Sequence, residues 1–209
     1  MVKEVWPYLT VGLLLTAILA VSAPAGAAAI AGLLTLGVAS FFRDPRRDVP
    51  SDSRLILSPA DGKVVRVSSE GAGGARHCVS IFLSVFNVHV NRAPVAGRVA
   101  EIRYTPGSFL PAFREKASDL NEQNLITLKT ERGLVDVKQI AGLIARRIRC
   151  WKNPGDAVAQ GEKIGFITFG SRVDLFLPPE ADLRVAVGDR VRGGTTVIAV
   201  YPGTPEIRE

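Results

Sequence analysis

Histidine and cysteine are both scarce in this chain of 209 residues, which has two of each. Cys78 and Cys150 form no Cys-x-x-Cys pair, and two histidines are too few for the usual ligand sets of a zinc site. The sequence therefore disfavours a metal site. Free, buried thiols in a reducing compartment are the expected state of the two cysteines.

Charged residues are absent from a long N-terminal stretch, since no Asp, Glu, Lys or Arg lies between Val5 and Phe42. Two apolar runs, Val5–Val21 and Ala25–Phe42, are separated by a Ser-Ala-Pro sequence. A spanning helix needs roughly 20 apolar residues, so each run is at the short end. Together they predict a two-helix hairpin that anchors residues 1–42 in a membrane. A hairpin that enters one leaflet, or a secretory signal, are the alternatives.

Single-sign charge runs and aromatic clusters are also lacking, although the net charge is +6 and the pI is about 9.7. A basic balance suits nucleic acid or an anionic membrane. The sparse aromatics offer no stacking platform for single strands, so we expect lipid as the partner and no nucleic acid. Lys3 before the hairpin and Arg43, Arg46 and Arg47 after it place both ends in the cytoplasm. This predicts a cell-membrane protein whose following domain is cytoplasmic.

A second basic group, Arg146, Arg147, Arg149 and Lys152, lies far along the chain. It predicts a basic face toward anionic lipid. A solvated charged edge is the alternative.

The chain beyond residue 42 is predicted to be mainly β, with a polar linker at 43–54 and one domain at 55–209. Gly and Pro punctuate its short apolar runs, as is typical of strands joined by turns. We expect Ser118–Asn124 to be a loop, and Ile140–Ile148 to be a strand or a short helix. The predicted strands are Leu55–Leu57, Lys63–Val67, Cys78–Leu83, Val99–Tyr104, Leu125–Thr130 and Leu134–Ile140.

The pattern Gly-Asp-x-Val-x-x-Gly occurs twice, beginning at Gly155 and at Gly188. Each copy reads as a turn, a short strand and a second turn before an apolar strand. The duplication resembles the interleaved halves of a barrel-sandwich hybrid, as in lipoyl and biotinyl domains, and it predicts that fold rather than an activity. A carrier domain would present a lysine between the halves. Gly170-Ser171-Arg172 stands there instead, which disfavours a lipoyl or biotin carrier.

One apolar stretch, TFGSRVDLF at residues 168–176, contains a Gly-Ser pair where extended chain is expected on both sides. Glycine weakens a strand and usually marks a bulge or a close backbone approach. A bulge or tight turn is therefore one interpretation. A backbone bond that is built to break is the other.

Two further polar residues follow predicted strands, Asp61 in SPADGK and His89 in NVHVNRAP. A turn-forming aspartate and a core histidine are the structural interpretations. With Ser171, however, they supply the residue types that activate a hydroxyl, because histidine can accept the serine proton and aspartate can fix the ring tautomer. Spacing alone does not predict that the three meet. His77, beside Arg76, is interpreted as solvated and structural.

The sequence resembles the phosphatidylserine decarboxylase proenzymes, in their short form, over most of Phe41–Pro202. The resemblance rests on FFRDPRR, SPADGKV, FNVHVNRAPVAG, YTPGSFLPAF with KASDLNEQN, and FGSRVDLFLP, in that order. It implies autocatalytic serinolysis between Gly170 and Ser171. The products would be chains 1–170 and 171–209, held together as a heterodimer, with a covalent pyruvoyl group made from Ser171.

The resemblance also implies the reaction. The pyruvoyl group would form a Schiff base with the serine amine of phosphatidylserine, or of a related serine phospholipid. Loss of CO2 would then give phosphatidylethanolamine. Ser171, His89 and Asp61 are the implied catalytic residues, and Arg92 stands where longer bacterial members carry a second histidine.

A membrane-anchored adaptor of the membrane-fusion type, without catalysis, is the alternative function. Such adaptors also join an N-terminal anchor to a barrel-sandwich hybrid, but they insert a long helical hairpin between the halves. Only residues 165–187 separate the two Gly-Asp units here, which is too few for that hairpin.

Overall fold

A computed structural model describes residues 1–70, 76–112, 117–143, 147–168 and 170–202. The chain divides into two compact units, Met1–Arg46 and Arg47–Glu209. Parts of the sequence predictions lie outside the described residues, namely residues 144–146 of the Ile140–Ile148 segment with Arg146 of the second basic group, Phe113 and Lys116 of the quoted motifs, and Phe169.

The first unit is a pair of apolar helices that follow a short 3-10 turn at Lys3–Val5. Helix α1 spans Trp6–Ser22 and helix α2 spans Ala25–Phe41. Pro24 stands between them, where a ring that cannot continue a helix separates the two segments. Gly12 of α1 lies against Thr35 of α2, since a Cβ at position 12 would come within 2.5 Å of the Thr35 hydroxyl. The small residue allows the helices to approach closely.

The outer surface of this helix pair is apolar. The segment Lys3–Ser22 is long and apolar enough to cross a membrane, and Ala25–Phe41 is a shorter apolar helix. A helix that is hydrophobic all round is typical of a membrane environment. The unit therefore has the properties of a membrane-associated segment. Its exposed large side chains include Trp6, Val11, Leu13, Leu14, Leu15, Ile18, Val21, Ile30, Leu33, Leu34 and Leu36.

In the part of the chain that the structure describes, the second unit is built from antiparallel strands and one short helix. The helix α3, Ala117–Leu120, lies between β5 and β6. The strands are β1 Leu55–Leu57, β2 Gly62–Glu70, β3 Arg76–Leu83, β4 Val90–Arg92, β5 Gly97–Thr105, β6 Gln123–Thr130, β7 Gly133–Ile140, β8 Ile148–Cys150, β9 Ala157–Val158, β10 Lys163–Ile167, β11 Ser171–Leu177, β12 Asp182–Leu183, β13 Arg190–Val191 and β14 Val197–Val200.

A large curled sheet has the strand order β13-β2-β3-β11-β7-β6-β5-β9. Two small sheets have the orders β1-β14-β12 and β4-β10-β8. The apolar core lies inside this arrangement, and β11 is buried on both faces because it stands in the middle of the large sheet. The predicted mainly β, barrel-sandwich-like fold is confirmed.

All six predicted strands are confirmed, and most extend by one to three residues at an end. The loop prediction for Ser118–Asn124 was wrong, since α3 and the start of β6 lie there. The prediction for Ile140–Ile148 was also wrong between its ends, because residues 141–143 and 147 belong to no helix or strand. The chain leaves the sheet at this point and passes close to residue 170.

The repeat is visible in the backbone. Gly155 and Gly188 open the two copies with φ of 93° and 106°, and Gly161 and Gly194 close them with φ of 75° and 73°. Left-handed backbone of this kind favours glycine. The N–H groups of Gly155 and Gly188 donate to equivalent carbonyls of β5 and β2, each at 2.8 Å. The short strands β9 and β13 therefore close opposite ends of the large sheet.

Both cysteines are free, with Cys78 buried and Cys150 half-buried. Burial raises the pKa of the Cys150 thiol. The thiol is therefore neutral and weakly reactive near pH 7. Both thiols are free as expected, although burial is complete only for Cys78.

Candidate active site

The Gly-Ser pair lies at a junction between two sheets. β10 belongs to a small sheet and ends at Ile167, while β11 belongs to the large sheet and begins at Ser171. Gly170 turns the chain with a φ of 63°, which side-chain-bearing residues seldom adopt. A Cβ at position 170 would meet nothing within 4 Å, so glycine is needed there for its conformation and not for space. Gly170 thus lies in a bend at the passage from one sheet to the other, and not inside either strand.

Ser171 is completely buried at the start of β11. Its hydroxyl has no hydrogen-bond partner among the described residues. An unsatisfied buried hydroxyl costs about 1–3 kcal/mol, so such groups are uncommon in a structural role. A serine of this kind, beside a left-handed glycine, is a candidate for a group that reacts.

The register of the large sheet places Asp61, which directly precedes β2, and Ser171, which begins β11, at the same end of their strands. β3 lies between β2 and β11, and its Phe82 faces Lys63 of β2 on one side and Arg172 of β11 on the other. Asp61 and Ser171 therefore enter the sheet at the same level, on either side of β3. With neighbouring strands about 4.8 Å apart, their main chains stand about 10 Å from each other.

His89 comes from the loop that leaves this same end of β3. The loop is held by Asn87, whose side-chain oxygen accepts from the N–H of Ser84 at 2.9 Å and from its hydroxyl at 2.7 Å. The carbonyl of His89 accepts from the N–H of Ile167 at 3.3 Å. Ser171 in turn pairs with Leu83 at the end of β3, so these two contacts bring the loop of His89 and the start of β11 into one region.

The His89 ring is fully buried, with its Nδ1 3.0 Å from the carbonyl oxygen of Asn87. A carbonyl oxygen can only accept, so Nδ1 donates. In the neutral ring the lone pair is then on Nε2, which is the form that a general base requires. The sequence predicts that Asp61 fixes this tautomer. In the structure the Asn87 carbonyl makes the contact to Nδ1.

The carboxylate of Asp61 has two partners of its own. The Arg47 guanidinium donates to its two oxygens at 2.8 and 3.0 Å, and the N–H of Gly193 donates at 2.7 Å. Asp61 therefore joins the segment before β1 to the second copy of the repeat. Arg47, which lies in the predicted linker and in the basic flank of the predicted hairpin, is part of this contact.

Arg92 is also buried, and its side chain contacts both copies of the repeat. Its guanidinium donates to the carbonyl of Gly161 at 3.0 Å, and its aliphatic chain packs on Gly194. The side chain at this position links the closing turns of the two copies. These contacts give Arg92 a structural role.

A buried ion pair directly after the serine was not predicted from the sequence. Arg172 and Asp174 are 1% and 2% exposed, with Nε and Oδ1 2.6 Å apart. The hydroxyl of Ser80 accepts from Arg172, and the hydroxyl of Ser118 donates to Asp174, each at 2.6 Å. The signal in the sequence is the alternation of two charged residues with apolar ones in a strand that is otherwise hydrophobic.

His77 lies at the opposite end of β3 from the turn. Its Nδ1 is 3.2 Å from the Ser69 hydroxyl and its Nε2 is 3.0 Å from the Pro179 carbonyl oxygen. These contacts hold the end of the sheet, as expected for a structural histidine.

The second basic group is only partly available for lipid. Arg147 and Arg149 are exposed, whereas Lys152 is half-buried and forms an ion pair with Glu162. The hydrogen bond from Lys152 lowers the pKa of the Glu162 carboxyl. The charge of Lys152 is therefore already balanced by Glu162 within the fold.

Comparison with known proteins gives the chain a family. The family model described as phosphatidylserine decarboxylase matches residues 34–199. A phosphatidylserine decarboxylase proenzyme of Geotalea uraniireducens is 43% identical over 208 residues, which is 95% of each chain. The protein of the same name from Ralstonia pickettii is 46% identical over 201 residues, or 94% of each chain. Matches of this extent show that the chain belongs to the phosphatidylserine decarboxylase family and is a decarboxylase.

Proposed function

We propose that this chain converts phosphatidylserine, or a closely related serine phospholipid, to phosphatidylethanolamine and CO2 after cutting its own backbone between Gly170 and Ser171. One observation carries the proposal. The hydroxyl of Ser171 is wholly buried, has no partner among the described residues, and directly follows a glycine in the left-handed conformation. A hydroxyl without a partner, directly after the carbonyl of a residue that has no side chain, is the arrangement that an acyl shift needs.

The cut proceeds through the side chain of Ser171. Its Oγ attacks the carbonyl carbon of Gly170, and its proton passes through His89 to the nitrogen of residue 171 as the C–N bond breaks. The peptide becomes an ester. Loss of the α proton of residue 171 then breaks the Cβ–O bond and releases the Gly170 carboxylate. The dehydroalanine that remains takes up water and loses ammonia, which gives the pyruvoyl group.

His89 is the proposed base because of its tautomer. The hydrogen bond from Nδ1 to Asn87 leaves Nε2 as the acceptor, and the loop of His89 runs alongside the Gly-Ser turn. Asp61 is the third residue of the proposed site, and it lies at the same end of the strands as Ser171. In the intact chain its charge is balanced by Arg47, so we assign the orientation of the His89 ring to Asn87.

The two chains are proposed to stay together after the cut. β11 begins at residue 171 and is hydrogen-bonded to β3 on one side and to β7 on the other. The small chain would thus remain a central strand of the large sheet. The pyruvoyl carbonyl supplies an electron sink for the charge left when CO2 departs, a function that no ordinary side chain offers.

The proposed location is the cytoplasmic face of the cell membrane. The apolar helices α1 and α2 suit lipid, and the positive residues at both ends of the pair favour the cytoplasm. A diacyl substrate stays in the bilayer, so an enzyme tethered to the same membrane searches in two dimensions. The adaptor alternative is not favoured, because the matching family is one of decarboxylases.

Intact mass spectrometry of the purified full-length protein tests the proposal. We expect two chains, 1–170 and 171–209, with the smaller one lighter by one ammonia than a chain that starts with serine. That difference separates self-cleavage through a pyruvoyl group from ordinary proteolysis. One unbroken species in a fully active preparation would refute the proposed cleavage.

His89→Ala should slow the cut by a factor of about 100 or more, which is the usual contribution of a general base. The fraction of cleaved chain is followed with time on a denaturing gel after pulse labelling. His77→Ala is the matched control, because it removes the other histidine at the far end of β3. Cleavage at the wild-type rate in His89→Ala would remove this residue from the proposed site.

A further inference from the structure

Gly142 lies directly against the carbonyl group of Gly170. β7 ends at Ile140, which pairs with Arg172, and the chain then continues beside the Gly-Ser turn. A Cβ at position 142 would overlap the carbonyl oxygen of Gly170 and come within 3.0 Å of its carbonyl carbon. The backbone of Gly142 is not in the left-handed region, so glycine is needed here only for space.

The segment that carries Gly142 is firmly held. The N–H of Ala141 donates to the carbonyl of Glu122 at 2.9 Å, and the side-chain amide of Asn121 donates to the carbonyl of Ala141 at 2.7 Å. Asn121 is fully buried, and its amide also accepts from and donates to the backbone of Leu110, at 2.8 Å each. Closely packed backbone that is hydrogen-bonded at both polar groups of Ala141 yields little to an added atom at position 142.

We propose that Gly142 is a positioning residue for self-cleavage, because its bare Cα forms the surface that fixes the orientation of the Gly170 carbonyl. The inference rests on the proposed cut at this bond. Attack by Ser171 Oγ requires the carbonyl carbon at a set distance and angle, and a displacement of about 1 Å can cost a factor of 100 in rate. A methyl group at position 142 would impose such a displacement on the carbonyl.

The role is confined to the uncut chain. Cleavage turns the Gly170 carbonyl into a terminal carboxylate that is no longer tied to residue 171. The contact with Gly142 then stops constraining the reacting bond. A substitution at position 142 should therefore separate two quantities, the rate of self-cleavage and the turnover of molecules that have been cut.

The test is Gly142→Ala in the full-length protein. We expect its cleavage rate to fall at least about 100-fold, while activity per pyruvoyl group, counted with a carbonyl reagent, stays within about two-fold of wild type. The matched control is Gly97→Ala, since a Cβ there would meet the carbonyl oxygen of Lys129 at 2.7 Å, at a far part of the sheet. The control should lose stability but keep the wild-type cleavage rate in its folded fraction.

A second variant covers the case in which Gly142→Ala does not fold. A Cβ at position 142 would also lie 3.2 Å from the Cβ of Ala112. The double variant Ala112→Gly/Gly142→Ala removes that crowding and leaves the overlap with Gly170, so it should fold and remain uncut. Wild-type cleavage in either variant, beside a wild-type chain that is cut, would overturn the role of Gly142. A wild-type chain that is never cut would instead refute the proposed function.

Discussion

Ser171→Ala is expected to yield one full-length chain of 22.4 kDa with no decarboxylase activity. Alanine has neither the hydroxyl that attacks Gly170 nor the oxygen that the elimination step expels. No pyruvoyl group can form, so the loss should be complete and not a matter of degree. Denaturing gels show whether the chain is cut, and intact mass shows whether a pyruvoyl group is present. Release of CO2 from phosphatidylserine in detergent measures the activity.

The same variant should fold normally. The Ser171 hydroxyl has no partner among the described residues, so its removal breaks no hydrogen bond in that part of the chain. Relief of an unsatisfied hydroxyl makes a gain of up to about 1–3 kcal/mol in the free energy of unfolding the expected direction. Ser53→Ala, at an exposed serine, is the control and should be cut and active. Two bands from Ser171→Ala, or activity without a cut, would contradict the scheme.

Arg172→Met is the second large expected effect, and it concerns stability. The change leaves the Asp174 carboxylate buried without its cation, and breaking a buried pair from one side costs about 3–5 kcal/mol. The free energy of unfolding should be measured in the Ser171→Ala background, where every molecule remains a single chain. Guanidinium titration followed by circular dichroism of the β domain gives the quantity directly.

Two controls separate the buried charge from a general effect of losing an arginine. Arg103→Met removes the partner of Glu101 from a pair that is 64% and 52% exposed, and it should change stability by no more than about 1 kcal/mol. Arg172→Met/Asp174→Leu removes both buried charges and should recover most of the loss. If Arg172→Met lowered the free energy of unfolding by less than about 1 kcal/mol, Asp174 would not be left as an uncompensated buried charge.

Much of the fold follows from local features of the sequence. The six strands were predictable because apolar residues alternate between turn residues, and the repeat was predictable because its turns require glycine at fixed positions. The prediction of a loop at Ser118–Asn124 was wrong because polar residues of this segment form contacts inside the fold. Ser118, for instance, donates to the buried Asp174 of β11.

The candidate site was predictable only in part. Gly170 and Ser171 carry their own signal, a glycine and a serine within an apolar run. The contact that orients His89 has no such signal, because the acceptor is the backbone carbonyl of Asn87 and backbone atoms are common to all residues. The contact between Gly142 and Gly170 joins two distant parts of the sequence, so only the folded chain reveals why position 142 lacks a side chain.

The place of β11 between β3 and β7 sets an order of events for the proposed maturation. The reactive turn exists only once strands from both flanks have assembled around residue 171. The sheet must therefore assemble before the backbone is cut. In the uncut chain, β11 is placed between β3 and β7 as part of the same polypeptide. Two pieces made separately would have to insert a middle strand between β3 and β7, a bimolecular step that the single precursor avoids.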